Sequence, residues 1–534
     1  MSVDATPSFY FSPHYFAILL RAILLFLFAS FLFACKSVQQ SNGQFYEVRS
    51  PGQLQSDVDY VHKKLTKYHP QLYRYISKEI LDYKFDSLKA SITTSMPATD
   101  FYLKLSPVVA AVRQGHATLS IPYSVDEAER ESIRQLGYRP WFPFKAEFLN
   151  ERFYILKDSR KTTEIEPGTE IISINGLSPA EIFMKYRNSI SRDGYNETLI
   201  PKKFSTMLYY YLKEHQEKTE VDYKLRYKDS VWVYSLKYQS QKPSASIPQP
   251  KTPAPLQKKK SNKPKEIKDQ PVLLSRSKTR MFRFYKGDSS IAVMRIDNFD
   301  KDAYKPFYRK SFDLLTSAGT KVLILDLRDN PGGYAKDAAE LYSYLTDSSI
   351  QFNRELELTS RQSLLQNYRF LSKVKSPLVK PIISTMATMA SIPPSITLRK
   401  EGEGRYSYHE KSSKRIEPKA NHFTGKVYVL INGGTFSAAS LLASNLKGSG
   451  RAVFIGTETG GAENGCVAGF LPVLTLPYSK LSLRFGLAAV EPYYARGKEG
   501  HGIFPDIEVM PSLEDRLKGV DVELKRAIDE VKRK

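Results

Sequence analysis

Apolar positions follow three different rhythms along this chain. From Val48 to Pro122 the spacing is helical: Leu54, Val58, Val61 and Leu65 recur three and four residues apart, and Phe101 to Val112 repeats the pattern. This predicts an N-terminal helical domain over 48–125. Between Phe142 and Leu236 the elements are shorter, and Gly168-Thr169-Glu170-Ile171-Ile172-Ser173-Ile174-Asn175-Gly176 reads as a strand and a tight turn, which places a β-rich module over 140–240. Further on the apolar runs become continuous. Val322-Leu323-Ile324-Leu325 and Val427-Tyr428-Val429-Leu430-Ile431 have the pattern of buried parallel strands, and Ala438 to Leu446 has that of a helix packed on their sheet. The fold class is therefore multidomain α/β, with an α/β domain over 280–512. A charged helix is expected over 513–534.

Residues 241–272 interrupt these rhythms. Pro243, Pro248, Pro250, Pro253 and Pro255 are followed by Lys258-Lys259-Lys260 and Lys263-Pro264-Lys265, so the stretch reads as a linker or exposed insertion that cannot bury enough apolar surface to fold alone. It concentrates much of the formal charge of +23. Such a charge raises nucleic acid as a partner, but no nucleic-acid-binding motif accompanies it and none is expected. Anionic headgroups, cell-wall polymer or plain solvation suit the run better. Ala335 to Ala420 is mixed and lysine-rich, and reads as the helical flank of the sheet plus an insertion near the site.

A chain of 534 residues, 41% of them hydrophobic, has material for two to four domains. Two cysteines exclude a disulfide framework. Cys35 closes the apolar run Ala17 to Ala34 as Leu32-Phe33-Ala34-Cys35, which resembles a bacterial lipobox, and the polar Lys36 to Asn42 follows. This predicts a lipoprotein signal peptide over 1–34, lipidation at Cys35, a tether over 35–47 and a lipid-anchored place in the bacterial cell envelope. A transmembrane anchor is the alternative reading of the same run. Asp4 and the lone cation Arg21 at this end point to a translation start downstream of Met1. Cys466 reads as a small loop or core residue.

The chemistry concentrates at two turns. Asn432-Gly433-Gly434-Thr435-Phe436-Ser437-Ala438-Ala439 sets Ser437 among small residues at a strand-to-helix junction, where free N–H groups and the helix dipole favour a developing oxyanion. The other strand runs into Arg328-Asp329-Asn330-Pro331-Gly332-Gly333, a turn whose bare backbone can present a second N–H. A serine acyl-transfer site follows, with Ser437 as nucleophile and an oxyanion hole from Ala438 N–H and Gly332 or Gly333 N–H. Most serines at helix starts are only N-caps, so Ser437 needs companions.

Those companions are present. Leu325 to Gly333, Thr435 to Ala439, Gly456-Thr457-Glu458-Thr459-Gly460-Gly461-Ala462 and Gly500-His501-Gly502-Ile503-Phe504-Pro505-Asp506 occur in that order. The set resembles the tail-specific, or C-terminal-processing, serine peptidase family, whose members include the tricorn core protease. The likeness extends from about Gln53 to Met510. It implies a catalytic domain of the ClpP/crotonase-like type, a PDZ-like character for the module over 140–240, and protein or peptide substrates. One branch of the family uses a lysine base, but that position here is Ala462, and Lys447 lies within the helix after Ser437. The tricorn-like branch takes a histidine from a glycine-histidine-small-threonine pattern, which Gly115-His116-Ala117-Thr118 fits. His116 is thus the expected base, with an ordinary pKa near 6.5 suited to that task. His62, His69, His215, His409 and His422 read as surface or structural residues.

The resemblance further implies Glu499 as the carboxylate that supports the base, although Gly115 stands where tricorn-like enzymes have a serine. His116 and Ser437 belong to different domains, so the site is expected at a domain interface. No cofactor or metal is expected. A plain β-sandwich segment with an Asn-Gly hairpin is the alternative to the PDZ-like reading. Two rivals to catalysis stand beside it. One is a non-catalytic peptide- or ligand-binding protein on the same fold, like the retinoid-binding relatives of this family, which predicts His116 and Ser437 out of hydrogen-bond reach. The other is an envelope tether that acts through the basic insertion.

Overall fold

The computed structural model describes residues 42–533 apart from 126, 140, 150, 161–164, 215–219, 238–272, 276, 301–303 and 361–397. The expected signal peptide, Cys35, most of the expected tether, the Lys/Pro-rich stretch, His215 and part of the expected 335–420 insertion lie outside the described residues.

Near the start of the described residues lie the helices α1 (Pro51–Tyr68), α2 (Lys78–Ser91) and α3 (Ala98–Ala110). Pro51 at the first helical position and the Gln53 side chain on Ser50 N–H start α1. Its face of Leu54, Val58, Val61 and Leu65 is buried, as the spacing predicts. The last helix stops at Ala110, short of the expected Val112, because Arg113 takes a left-handed φ of 56° and turns the chain. Beyond the turn lies the short strand β1 (Thr118–Ser120).

Next comes an antiparallel sheet of five strands in sequential order: β2 (Phe144–Leu149), β3 (Arg152–Asp158), β4 (Glu170–Ile174), β5 (Glu220–Tyr227) and β6 (Ser230–Lys237). Helices α4 (Pro179–Tyr186) and α5 (Phe204–Glu214) lie between β4 and β5 in the chain. Asn175 and Gly176 form a tight turn, with Ile174 and Leu177 exchanging backbone hydrogen bonds of 2.7 and 3.2 Å. The turn is closed by a single antiparallel bridge, and the chain then enters α4 instead of a long second strand. The helices and this sheet bury one continuous apolar cluster, which also takes in Leu476, Leu481, Leu483, Phe485 and Leu487.

The second half is built on a seven-stranded sheet. In chain order its strands are β7 (Leu273–Leu274), β8 (Arg280–Tyr285), β9 (Asp288–Ile296), β10 (Val322–Asp326), β11 (Lys426–Ile431), β12 (Ala452–Gly456) and, later, an edge strand Ile507–Glu508. From β9 to that edge strand the pairing is parallel. Helices α6 (Tyr304–Ser317), α7 (Ala335–Ser343) and α8 (Ala438–Gly448) cover one face. Alternation decides which residues each face receives: Leu323, Leu325, Val427 and Val429 face those helices, whereas Val322, Ile324, Tyr428 and Leu430 join Ala527 and Ile528 on the other side. Burial on both faces is why these strands read as unbroken apolar runs.

The expected single C-terminal helix is two, Leu513–Lys518 and Val522–Lys532, because Gly519 takes φ 65° and caps the first. Arg328 at the end of β10 fastens the second, with Asp521 at 2.7 Å and Glu523 at 3.1 Å.

Long-range contacts dock the halves, two of them away from the turns at the sheet's carboxyl end. β1 pairs antiparallel with Ser482–Arg484, placing Leu119 opposite Leu483. Buried Asp57 of α1 accepts N–H bonds from Tyr478 and Ser479 at 3.1 and 2.7 Å.

Candidate active site

β10 and β11 run parallel with Asp326 opposite Leu430, so the turns at their carboxyl ends emerge side by side. In open α/β sheets this is where ligands bind. Side chains staple the two turns together. Asn432 Oδ1 accepts Asp329 N–H and Gly434 N–H, each at 2.9 Å, and Thr435 Oγ1 donates to Leu327 carbonyl at 2.8 Å. Phe436 N–H reaches the Asn330 carbonyl at 2.9 Å. The Thr435 carbonyl accepts from Gly460 and Gly461 N–H, which fixes the third loop to the same point.

Ser437 sits on this scaffold with φ 55° and ψ −124°. A side-chain-bearing residue there costs on the order of 1–3 kcal/mol and persists only where the surroundings over-determine it. The same strained strand-to-helix turn displays nucleophiles in other serine hydrolases. Its side chain makes no cap bond to α8. Instead Ser437 Oγ lies 3.1 Å from His116 Nε2. The hydrogen-bond separation that the non-catalytic rival predicts is therefore absent.

His116 arrives from the turn after α3, closed by Ala117 N–H on the Gln114 carbonyl at 2.8 Å. Gln114 is anchored in turn, its side-chain oxygen accepting Val467 N–H at 3.3 Å. The imidazole is buried and stacks on Phe436, ring centres 5.0 Å apart. The same ring explains Gly115: a Cβ there would stand 2.6 Å from Phe436 Cζ, so the serine of tricorn-like enzymes has no room. Burial, with the nearby charges of Arg484 and Lys203, lowers the His116 pKa to about 3. The ring is therefore neutral at ordinary pH, and a weaker base than the ordinary imidazole expected from the sequence.

Glu499 is not at the base. Its carboxylate is held by Arg74 at 2.5 Å and Asn464 at 2.7 Å, while His116 Nδ1 is buried with no hydrogen-bond partner among the described residues. The bond to Arg74, foremost, pulls the Glu499 pKa below its ordinary value. The sequence pattern fixes where Glu499 lies in the loop; it cannot reveal that a guanidinium just beyond α1 would claim it. Exchanging the carboxylate for an amide, Glu499→Gln, should lower peptidase activity less than about tenfold, against the roughly 10⁴-fold loss when a triad acid is altered. A thousandfold loss in kcat/KM would return Glu499 to the base.

The Gly332 N–H is taken by Asn330 Oδ1 at 2.9 Å, an internal bond of the turn. Gly332 itself packs against the Phe436–Ala438 backbone. Ala438 N–H opens α8, where a helix leaves its first donors free. Ala462, at the lysine position of the other branch, is buried, and Lys447 is paired with Asp506. Cys466 is buried, and burial pushes its thiol pKa well up.

Sequence reasoning missed one segment altogether. Residues 191–198, read as part of the β-rich module, cross the whole site. Ser191 Oγ donates to the Ala117 carbonyl, Gly194 N–H bonds Arg113 at 2.8 Å, Tyr195 N–H bonds Gly500 at 2.7 Å, and Asn196 reaches the Thr459 carbonyl. Buried Asp193 accepts Gly115 N–H at 2.7 Å and Ala462 N–H at 3.3 Å. The only local signal was a polar Ser-Arg-Asp-Gly-Tyr-Asn turn between two apolar helices. Among the described residues, no group of three or more His, Cys, Asp or Glu side chains is placed to hold a metal ion.

Comparison with known proteins accords with this geometry. No curated protein matches the sequence. Mature CPAF complexed with lactacystin is similar in fold, with a TM-score of 0.59 at 16% identity over 90% of this chain and 98% of its own. Mature CPAF alone gives 0.58 at 16% identity, covering 89% and 96%. A putative peptidase from Parabacteroides merdae gives 0.43 at 12% identity, covering 90% and 96%. Residues 290–509 match the pattern of peptidase family S41. They span both glycine turns, Ser437 and the loops that hold them; this segment is similar to peptidase family S41, and the chain is a serine-type peptidase.

Proposed function

We propose that this chain is an endopeptidase of the bacterial cell envelope in which Ser437 is the nucleophile and His116 the general base. The observation that carries this reading is the 3.1 Å contact between a strained, displayed serine and a buried neutral imidazole delivered from the other half of the chain. His116 Nε2 takes the Ser437 hydroxyl proton as Oγ attacks the peptide carbonyl. The tetrahedral oxyanion is held by Ala438 N–H and by Gly333 N–H, since Gly332 has given its donor to Asn330. The imidazolium returns its proton to the leaving amine, and water releases the acyl group by the same route. Labelling with a serine-directed fluorophosphonate, beside Ser437→Ala and His116→Ala, tests the assignment.

Substrate capture falls to the PDZ-like module over 140–240. Its strand β2 is a sheet edge, and a cavity of about 1140 Å³ runs from Phe144, Ala146 and Phe148 of that strand to Asp329 and Asn432 at the base of the catalytic turns. An extended peptide added to β2 gains backbone hydrogen bonds and lies on a path toward the site, which suits cleavage near C-termini. Lipidation at Cys35 would hold the enzyme at the membrane. Cys35→Ser should move the protein from the detergent-extracted membrane fraction to the soluble fraction, with its fluorophosphonate labelling intact. Retention in the membrane would favour a spanning anchor.

A further inference from the structure

We infer that Asp193 is the residue that positions the base: its carboxylate joins the loop carrying His116 to the loop after Thr459 and so holds the imidazole against Ser437. The inference rests on the assignment of Ser437 and His116 above.

The geometry is that of a clasp. Asp193 is 1% exposed, and one oxygen accepts Gly115 N–H, next to His116, while the other accepts Ala462 N–H, at the lysine position of the other branch. Its neighbours repeat the pattern on both sides, Ser191 and Gly194 binding Ala117 and Arg113 of the His116 loop, and Tyr195 and Asn196 binding Gly500 and Thr459. The base is thus gripped on both sides, at Arg113 and Gly115 before it and at Ala117 after it. Among the described residues the imidazole itself has one hydrogen bond, to Ser437, and Nδ1 has none. Its aim depends on stacking against Phe436 and on the backbone that Asp193 holds. In the familiar triad a carboxylate orients the histidine by binding its ring; here the carboxylate binds the main chain instead.

An ionised carboxylate suits this task because it accepts at both oxygens at once, which neither a carboxylic acid nor an amide can do. The groups facing it are Arg74 and Tyr75 from the loop after α1 and the Cys466 thiol; Arg74 is itself bound to Glu499. Burial, against the pull of the two amides and Arg74, raises the Asp193 pKa to about 6, well above that of His116. Protonation below that pH removes one of the two accepted bonds. The acid limb of activity therefore belongs to Asp193 and not to the base.

The experiment is the rate of fluorophosphonate labelling between pH 4.5 and 8.5 for the wild type, Asp193→Asn and His116→Ala, with circular dichroism melts of each. The wild type should lose rate as pH falls through about 6. Asp193→Asn should melt like the wild type, label about 10- to 100-fold more slowly at pH 7.5, and show no inflection near 6, as expected when a reacting group is misplaced by a fraction of an ångström. Labelling of Asp193→Asn at the wild-type rate, or a slower rate that keeps the inflection, would overturn the inference. So would a wild-type profile flat to pH 4.5, a result that holds even if the variant does not fold. A His116→Ala protein that labels at the wild-type rate overturns instead the assignment of the base, and this inference with it.

Discussion

Alanine at position 437 is expected to abolish fluorophosphonate labelling and to lower peptide hydrolysis by about 10⁴-fold or more, with His116→Ala causing a loss of the same order. The two should not add, because a nucleophile without its base and a base without its nucleophile fail at the same step. Alanine keeps the Cβ of Ser437, so φ 55° is no more strained than before, and the hydroxyl it removes makes no cap bond to α8. His116→Ala removes a ring stacked on Phe436 and opens a cavity at the interface, so its melting temperature should fall while that of Ser437→Ala holds. That difference separates chemistry from folding. A Ser437→Ala protein that still labels would place the reactive serine elsewhere, and a His116→Ala protein with near-normal turnover would deny the imidazole its role.

What the sequence makes legible here depends on how local the cause is. Strands β10 and β11 and helix α8 are readable to within a residue or two, because a strand buried on both faces must be apolar throughout and a packed helix must repeat. The pair Ser437 and His116 is readable through motif order, since each stands in a turn with its own glycines. The partner of Glu499 is not readable. Nothing around Lys498-Glu499-Gly500 encodes Arg74, more than four hundred residues earlier in the chain, and long-range docking such as that of α1 against the Tyr478–Ser479 turn brings them together. Asp193 escapes for the same reason: its value lies in two amides, Gly115 and Ala462, that belong to other segments. The choice between Gly332 and Gly333 turns on one side-chain bond from Asn330, which leaves no trace in composition. The break at Gly519 was written in the sequence, as a glycine inside a charged run, and overlooked in favour of the run.

Alanine at position 332 should lower catalysis by up to about 10²-fold, although no side chain of the site is touched. Gly332 has φ +90°, a backbone conformation that L residues avoid, and its added Cβ would stand 2.7 Å from Ala438 N, from Phe436 O and from Ser437 Cβ. None of these is the far end of a flexible side chain. The two turns would have to part by several tenths of an ångström, loosening the Phe436 N–H bond to Asn330 and shifting both donors of the oxyanion hole. Displacement of that size in a preorganised site costs about 10²-fold in rate, and the strained backbone another 1–3 kcal/mol or so of stability. Gly404→Ala supplies the comparison, for Gly404 has φ +65° with nothing within 4 Å of its added Cβ. It bears the backbone strain alone, so it should lose some stability and keep full turnover. If Gly332→Ala instead tracks Gly404→Ala, with normal kcat and a lowered melting point, the close approach of the two glycine turns is architecture and the oxyanion donors lie elsewhere.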